Sequence, residues 1–373
     1  MEFEVKSLIR AYLNENLGDD LFVYILCHRY PKIKFAIVGE NQFKGITDEI
    51  SNLKFISEDA KHNKIINKIY KLNQRIHKQK ICNRRDIVMY NVLSRFYQEN
   101  IFITGSFFIQ NPEWSCMEDA MWYDSKPHIL GCNFGPYTDD KYFIEHKKQF
   151  AKCKEIGFRE SYSYDMFRDL SNVFCAPDLV FALEQASIKS VSNNEYIVSV
   201  VNLAKDNDAE LMRLHESYVQ LLVDIISALR SSNGKVTLMS FCSRQGDDEV
   251  IDEVLSKLES AESINTFYYR EEGINKSLEK LKGCKGIIAS RYHAMILGFL
   301  FGKEVLPVAY SKKMNNVLED LKYNGTILSV SDSLSANTEV KKLFGRLDSE
   351  ILEKTVQKTQ RHFRMLDDKF RRS

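Results

Sequence analysis

Residues 283–313, GCKGIIASRYHAMILGFLFGKEVLPVAYSKK, decide how the chain folds. Gly286–Ala289 reads as a short apolar strand and Ser290 as an N-cap. Arg291, Tyr292 and His293 then form the first turn of a helix that runs to Gly302, and Val305–Ala309 is the next strand. Strand, helix and strand within about thirty residues make a βαβ unit, which requires the two strands to be parallel. Such sheets put their ligands at the carboxyl ends of strands. At this end the first-turn N–H groups favour an anion. Arg291 adds a planar fork for carboxylate or phosphate, and His293 a group able to move a proton near neutral pH. Tyr310 and Lys313, past the next strand, should open onto the same edge. The set suits a phosphorylated carboxylate.

The same alternation extends in both directions. Residues 6–13 read as a strand, Asn14–Asp19 as a loop, Asp20–Arg29 as a helix stopped by Pro31, and Lys34–Val38 as a strand. Further short apolar runs lie at Ile101–Thr104, His128–Gly131, Ile156–Phe158 and Val173–Cys175. The chain turns polar and small at 184–195. A second series follows at Tyr196–Val201, Val236–Phe241, Ile264–Tyr268, Gly286–Ala289 and Val305–Ala309, with helical patterns at Leu211–Leu229 and Asp248–Leu258. Two such series predict two Rossmann-like α/β domains with mostly parallel sheets and a site in the cleft they face. We place the first domain at 1–186, the second at 187–345, and a C-terminal basic helix at 346–373.

Length agrees, because 373 residues at roughly 150 per domain give about two. Lys and Arg number 52 against 51 Asp and Glu, a net charge of +1 that argues against a dedicated nucleic-acid binder. The neutrality is an average. Between Lys61 and Asp86 stand nine Lys or Arg and one acid, with Ile65, Ile66, Ile69, Tyr70 and Ile76 spaced for one helical face. The run TVQKTQRHFRMLDDKFRRS at the C-terminus is a weaker version. One reading is a solvated face whose apolar stripe packs on a sheet; the other is a basic surface for peripheral contact with anionic membrane lipid.

The eight cysteines have no CxxC spacing, which leaves buried free thiols and no zinc site. The N-terminus lacks the apolar core of a signal peptide, and no apolar stretch approaches the ~20 residues of a membrane span, so a cytoplasmic protein is expected. GxxxxGK[ST], GxGxxG after a strand, HExxH and GxSxG are all missing. The histidines other than His293 have no ligand spacing, and no metal or cofactor is expected.

Seven segments, in order, resemble the polysaccharide pyruvyl transferase family. They are Asn16-Leu17-Gly18-Asp19; Ile103-Thr104-Gly105-Ser106; Lys126-Pro127-His128-Ile129-Leu130-Gly131 with Phe134-Gly135-Pro136; Phe158-Arg159-Glu160-Ser161 with Ser163; Ala176-Pro177-Asp178-Leu179-Val180-Phe181; Ser290-Arg291-Tyr292-His293-Ala294; and Tyr310-Ser311-Lys312-Lys313. Gly105-Ser106-Phe107 stands where the family has a longer glycine run, and Cys132-Asn133-Phe134 where Gln-Gly is more common. The resemblance implies a fold similar to the GT-B glycosyltransferases. It also implies transfer of a pyruvyl unit from phosphoenolpyruvate to a sugar of a cell-surface glycan, free or lipid-linked, as a ketal.

On that basis Arg291 and His293 are the expected catalytic pair. Ser290, Arg159 and Lys313 join them around phosphoenolpyruvate, and Asn16, Gly18, Asp19, Asp178 and Asp247 lie on the acceptor side. Asp19 and Asp247 have a plainer reading as helix caps, and Asp178 as a turn residue. Tyr137, Tyr162 and Tyr292 are candidates to stack on a sugar ring. Two other readings compete: a GT-B nucleotide-sugar glycosyltransferase, and a non-catalytic glycan-binding relative.

Overall fold

The structure is a computed structural model that describes residues 6–59, 68, 85–110, 119–206, 208–335 and 338–370. Contacts divide the chain into two compact units. Unit 1 comprises Met1–Leu13, Phe22–Leu179 and Lys358–Ser373; unit 2 comprises Asn14–Leu21 and Val180–Gln357. This division departs from boundaries at 186 and 345 in three ways. The cut falls at 179/180, the segment from Lys358 joins unit 1, and Asn14–Leu21 joins unit 2.

Unit 1 carries a sheet of β1 (Lys6–Arg10), β2 (Lys34–Gly39), β3 (Leu53–Ser57), β4 (Glu99–Ile103), β5 (His128–Cys132), β6 (Glu155–Phe158) and β7 (Val173–Cys175). Its order is β3-β2-β1-β4-β5-β6-β7, and every pairing is parallel. Unit 2 repeats the plan with β8 (Glu195–Ser199), β9 (Lys235–Ser240), β10 (Ile264–Tyr268), β11 (Gly286–Ala289), β12 (Glu304–Ala309) and β13 (Leu328–Ser329), in the order β10-β9-β8-β11-β12-β13, again parallel throughout. Parallel sheets have both faces covered by their crossover helices, so their central strands run apolar without alternation. β4, β5, β8 and β11 are buried along their whole length. In unit 2 Val198, Leu238, Ile288 and Leu306 of the sheet pack with Leu222, Ile226, Val250 and Val254 of the helices.

Some local expectations change. The first helix, α1 (Leu17–Arg29), starts ahead of Asp20, because the Asn16 side chain accepts the N–H of Gly18 at 3.0 Å and its carbonyl that of Asp20 at 2.9 Å. Asn16, not Asp19, is therefore the cap. The helix expected over Leu211–Leu229 is two, Ala209–Arg213 and His215–Ser231, with Leu214 between them. β3 and β13 were not legible as strands.

The C-terminal run packs inward. Phe363, Leu366 and Phe370 are buried, Tyr30 meets the ring of Phe370 at 4.8 Å, and Arg29 holds Asp367 with two bonds of 3.1 and 2.7 Å. That is the solvated-face reading of this segment. The basic stretch from Lys61 to Arg84 lies outside the described residues apart from Lys68. Cys27, Cys132, Cys153, Cys242 and Cys284 are buried free thiols as expected, whereas Cys175 is exposed at the end of its short strand. Among the described residues no helix is long and apolar enough to cross a membrane.

Candidate active site

Strand order reverses between β1 and β4 in unit 1 and between β8 and β11 in unit 2. Loops leaving a reversal point diverge and open a crevice at the carboxyl ends. In unit 2 the residues at that point are Ser199, the last of β8, with Val200, and Ser290 and Arg291 after β11. The Ser199 hydroxyl accepts the N–H groups of Ser290 and Arg291 at 3.1 and 3.2 Å. Arg291 Nε donates to the Val200 carbonyl at 3.2 Å and to Asp247 Oδ2 at 3.1 Å; Nη2 bonds Asp247 Oδ1, and Nη1 bonds Gln245 Oε1. Asp247, the first residue of the helix Asp247–Lys257, is wholly buried and also accepts the N–H groups of Phe241 and Cys242 at 2.9 and 3.0 Å. Burial alone would discharge Arg291; the Asp247 carboxylate more than offsets it and holds the guanidinium above its ordinary pKa.

His293 lies in the first turn of the helix Tyr292–Leu300, whose N-cap position is Arg291 rather than Ser290. Its ring rests against Gly18: a Cβ built there would stand 1.8 Å from Nδ1. The segment before and inside the start of α1 is thus part of the His293 surroundings. The N–H of Leu17 donates to the Phe241 carbonyl at 3.1 Å, which fixes the segment on unit 2. One turn on, Asp20 is buried and accepts a 2.6 Å bond from the Tyr269 hydroxyl. Burial, aided by Asp19 and Glu15 and opposed by that bond, lifts the Asp20 carboxyl to about 7. Lys313 Nζ lies 6.0 Å from the centre of the Tyr292 ring.

In unit 1 the carboxyl edge holds a second caged arginine. Arg159, just past β6, donates from Nη1 to Asp178 at 3.0 Å and from Nη2 to Ser106 Oγ at 3.0 Å and Asn133 Oδ1 at 2.8 Å. Gly105 gives it room, since a Cβ there would stand 2.8 Å from Nη1. Ser106 and Asn133, which stand in segments where the resemblance implies glycine, hold Arg159 together with Asp178.

The structure therefore brings Asn16, Gly18, Asp19, Asp247, Ser290, Arg291, His293 and Lys313 into one unit, with Arg159 and Asp178 in the other. Two acceptor-side expectations need correction. The Asp178 and Asp247 carboxylates are buried and bonded to arginines, so neither is exposed to take a proton from a sugar hydroxyl. Ser290 is fully buried and contributes its backbone rather than a cap. Of the three tyrosines, Tyr292 is buried at 5 % exposure while Tyr162, at 62 %, is open. Sequence alone does not mark Gln245 or Asp20: Gln245 stands in a loop whose conspicuous residues are its acids, and Asp20 reads as an ordinary helix-start residue. Among the described residues no three His, Cys, Asp or Glu side chains gather to hold a metal ion.

Two doubly wound parallel sheets of this order are the GT-B plan. A UDP-GlcNAc 2-epimerase from Methanocaldococcus jannaschii superposes with a TM-score of 0.55 at 10% identity, over 97% of this chain and 99% of that one. A glycosyltransferase from Rickettsia africae gives 0.53 at 13% identity, over 99% and 98%. At such identities the likeness is one of fold. No protein of curated function matches in sequence. The sequence profile of the polysaccharide pyruvyl transferase family matches residues 16–312. The chain belongs to that family of transferases.

Proposed function

We propose that the protein transfers the pyruvyl unit of phosphoenolpyruvate to two hydroxyls of a sugar in a cell-surface polysaccharide or its precursor, forming a pyruvate ketal and releasing phosphate. The observation that carries this reading is the placement of Arg291 at the reversal point of unit 2, with His293 two residues on. Phosphoenolpyruvate has a carboxylate, a phosphate and an electron-rich enol. Its conversion needs a fixed cation and an acid, and these two residues supply both chemistries at one strand end.

An acid protonates C3 as the C2–C3 double bond is spent, and a sugar hydroxyl adds to C2 and loses its proton. The C2–O bond to phosphate then breaks with phosphate taking the electron pair, and a second hydroxyl adds at C2 and gives up its proton, which the departing phosphate takes, to close the ketal. His293 is the proton carrier and Arg291 the clamp on an oxyanion; Lys313 adds positive charge. A positioned acid contributes about 10²–10⁴-fold and a charge clamp in a dry site a comparable share. We place the reaction in the cytoplasm, on a free, nucleotide-linked or lipid-linked saccharide.

The test is phosphate release from phosphoenolpyruvate in the presence of candidate glycans. The wild type should release phosphate and ketal in equal amounts, with His293→Ala at least 10²-fold slower. Stabilisation by nucleotide sugars but not by phosphoenolpyruvate would replace this reading with nucleotide-sugar transfer. Binding of glycan without turnover of either donor would leave a non-catalytic relative.

A further inference from the structure

An arginine fork has five N–H donors. In Arg291 the structure commits three. Nε is shared between Val200 O and Asp247 Oδ2, one Nη2 hydrogen goes to Asp247 Oδ1, and one Nη1 hydrogen to Gln245 Oε1. Asp247 therefore grips the side edge of the fork, Nε and Nη2. What remains is one hydrogen on each terminal nitrogen, donors suited to oxygens of a carboxylate or phosphate. The Arg291 side chain is 10% exposed, so a narrow edge of it is left to a ligand.

Asp247 is itself held at every turn. Its Oδ2 takes the backbone N–H groups of Phe241 and Cys242 just past β9, it starts a helix, and none of it is exposed. A carboxylate in that position meets no sugar hydroxyl, but it decides where a cation points. Coulombic compensation alone would be satisfied by a single contact to any part of the guanidinium. The two-point grip on Nε and Nη2 fixes the plane and rotation of the fork as well.

We propose that Asp247 is a positioning residue of the reaction: it holds Arg291 by its side edge so that the terminal N–H pair meets an oxyanion of the donor. That the donor is phosphoenolpyruvate rests on the pyruvyl-transfer reading; the orienting role requires only a ligand bearing carboxylate or phosphate.

A double-mutant cycle tests it. Affinity for phosphoenolpyruvate and for inorganic phosphate is measured by calorimetry, and KM and kcat by phosphate release, for the wild type, Asp247→Asn, Arg291→Lys and the double variant. Arg291→Lys keeps the buried charge and removes the fork. In the wild-type background Asp247→Asn should weaken phosphoenolpyruvate binding and raise its KM at least tenfold, with a smaller fall in kcat. In the Arg291→Lys background the same change should alter affinity by less than twofold. Unchanged affinity with a lowered Tm would show that Asp247 serves folding alone, and an equal loss in both backgrounds would show that it does not act through Arg291; either overturns the proposal. Should Asp247→Asn not fold, Asp247→Glu, which keeps the charge and shifts the grip by one methylene, should weaken binding in the same sense, and wild-type affinity in it overturns the proposal. A wild type that binds phosphoenolpyruvate yet releases no phosphate with any acceptor fails the functional reading and leaves the cycle readable. A wild type that binds neither phosphoenolpyruvate nor phosphate overturns the positioning role.

Discussion

Gly18 and His293 approach so closely that no side chain fits between them, with 1.8 Å from a Cβ at position 18 to Nδ1 of the ring. The glycine of the Asn16–Asp19 segment is thus tied to the proposed proton carrier, although 275 positions separate them in the sequence (293 − 18). Gly18→Ala should displace the imidazole by an ångström or more. A misplacement of that size costs about 10²-fold in rate. The fold should persist, because alanine inside a helix is up to ~1 kcal/mol better than glycine. Phosphate release measured beside a thermal melt checks this; wild-type turnover would mean that the ring's place does not matter.

Asp20 gives a pH signature. Its carboxyl, lifted from 3.8 to about 7 chiefly by burial, favours the protonated form in the folded chain. The sign is the reverse of a salt-bridged acid. The full stability is present at or below about pH 4, declines as pH rises toward 7, and the penalty is complete above that. At roughly 1.4 kcal/mol per unit the swing amounts to several kcal/mol. Asp20→Asn keeps an acceptor for Tyr269 and cannot ionise. Its Tm advantage over the wild type should grow between pH 4 and pH 7 and then level; a difference independent of pH would show that Asp20 is ionised throughout.

The strands were legible where both faces are buried, as in Ile287-Ile288 of β11 and Ile101-Phe102-Ile103 of β4, since nothing polar interrupts them. β3, LKFIS, is an edge strand with exposed Lys54 and half-buried neighbours, so its pattern is broken. Alternation predicts parallel pairing, but neither the strand order of each sheet nor the unit a loop joins follows from it, and Asn14–Leu21 goes to the other unit for that reason. At the site, Arg291 and His293 were readable from one strand–helix junction. The partners were not: Asp247 is 44 residues from Arg291, Asp178 19 from Arg159, and Tyr269 249 from Asp20. A carboxylate after a strand looks like a base until the cation facing it is known.

Asp178 supplies the charge that keeps Arg159 buried at 5 % exposure. Removing one partner of such a pair leaves an uncompensated charge and costs about 3–5 kcal/mol. Ser106 and Asn133 still accept from Nη2, which places Asp178→Ala toward the lower end of that range. Urea denaturation provides the number, and a loss below about 1 kcal/mol would show that Asp178 is not the counter-charge.

The opposite end of unit 1's sheet binds the C-terminal segment through charge. His128, at the start of β5, lies 2.8 Å by Nδ1 from Glu155 and 3.2 Å by Nε2 from Glu99. A carboxylate on each side of the ring favours its protonated form. Lys154 also bonds Glu99, while Lys369 reaches Glu99 at 3.4 Å and Arg361 reaches Glu155 at 3.2 Å from the C-terminal segment. Burial works against the charge on His128, but the two glutamates outweigh it and raise its pKa above 6.5. Glu99 is shifted the other way, to about 2: burial opposes its charge, and the bonds from His128 and Lys154 more than compensate. The histidine's contribution is complete below pH 6.5 and fades as pH rises through its folded value; that of Glu99 is complete above pH 4.5 and fades as pH falls toward 2. The network should therefore be strongest between about pH 4.5 and 6.5. Hydrogen exchange in residues 358–370 should be slowest in that window and accelerate beyond the intrinsic increase as pH rises above it. His128→Gln should lack the alkaline half of this dependence, because its amide cannot lose a charge in that range. Equal pH dependence in the variant and the wild type would move the control of the C-terminal segment from His128 to Lys369 and Arg361.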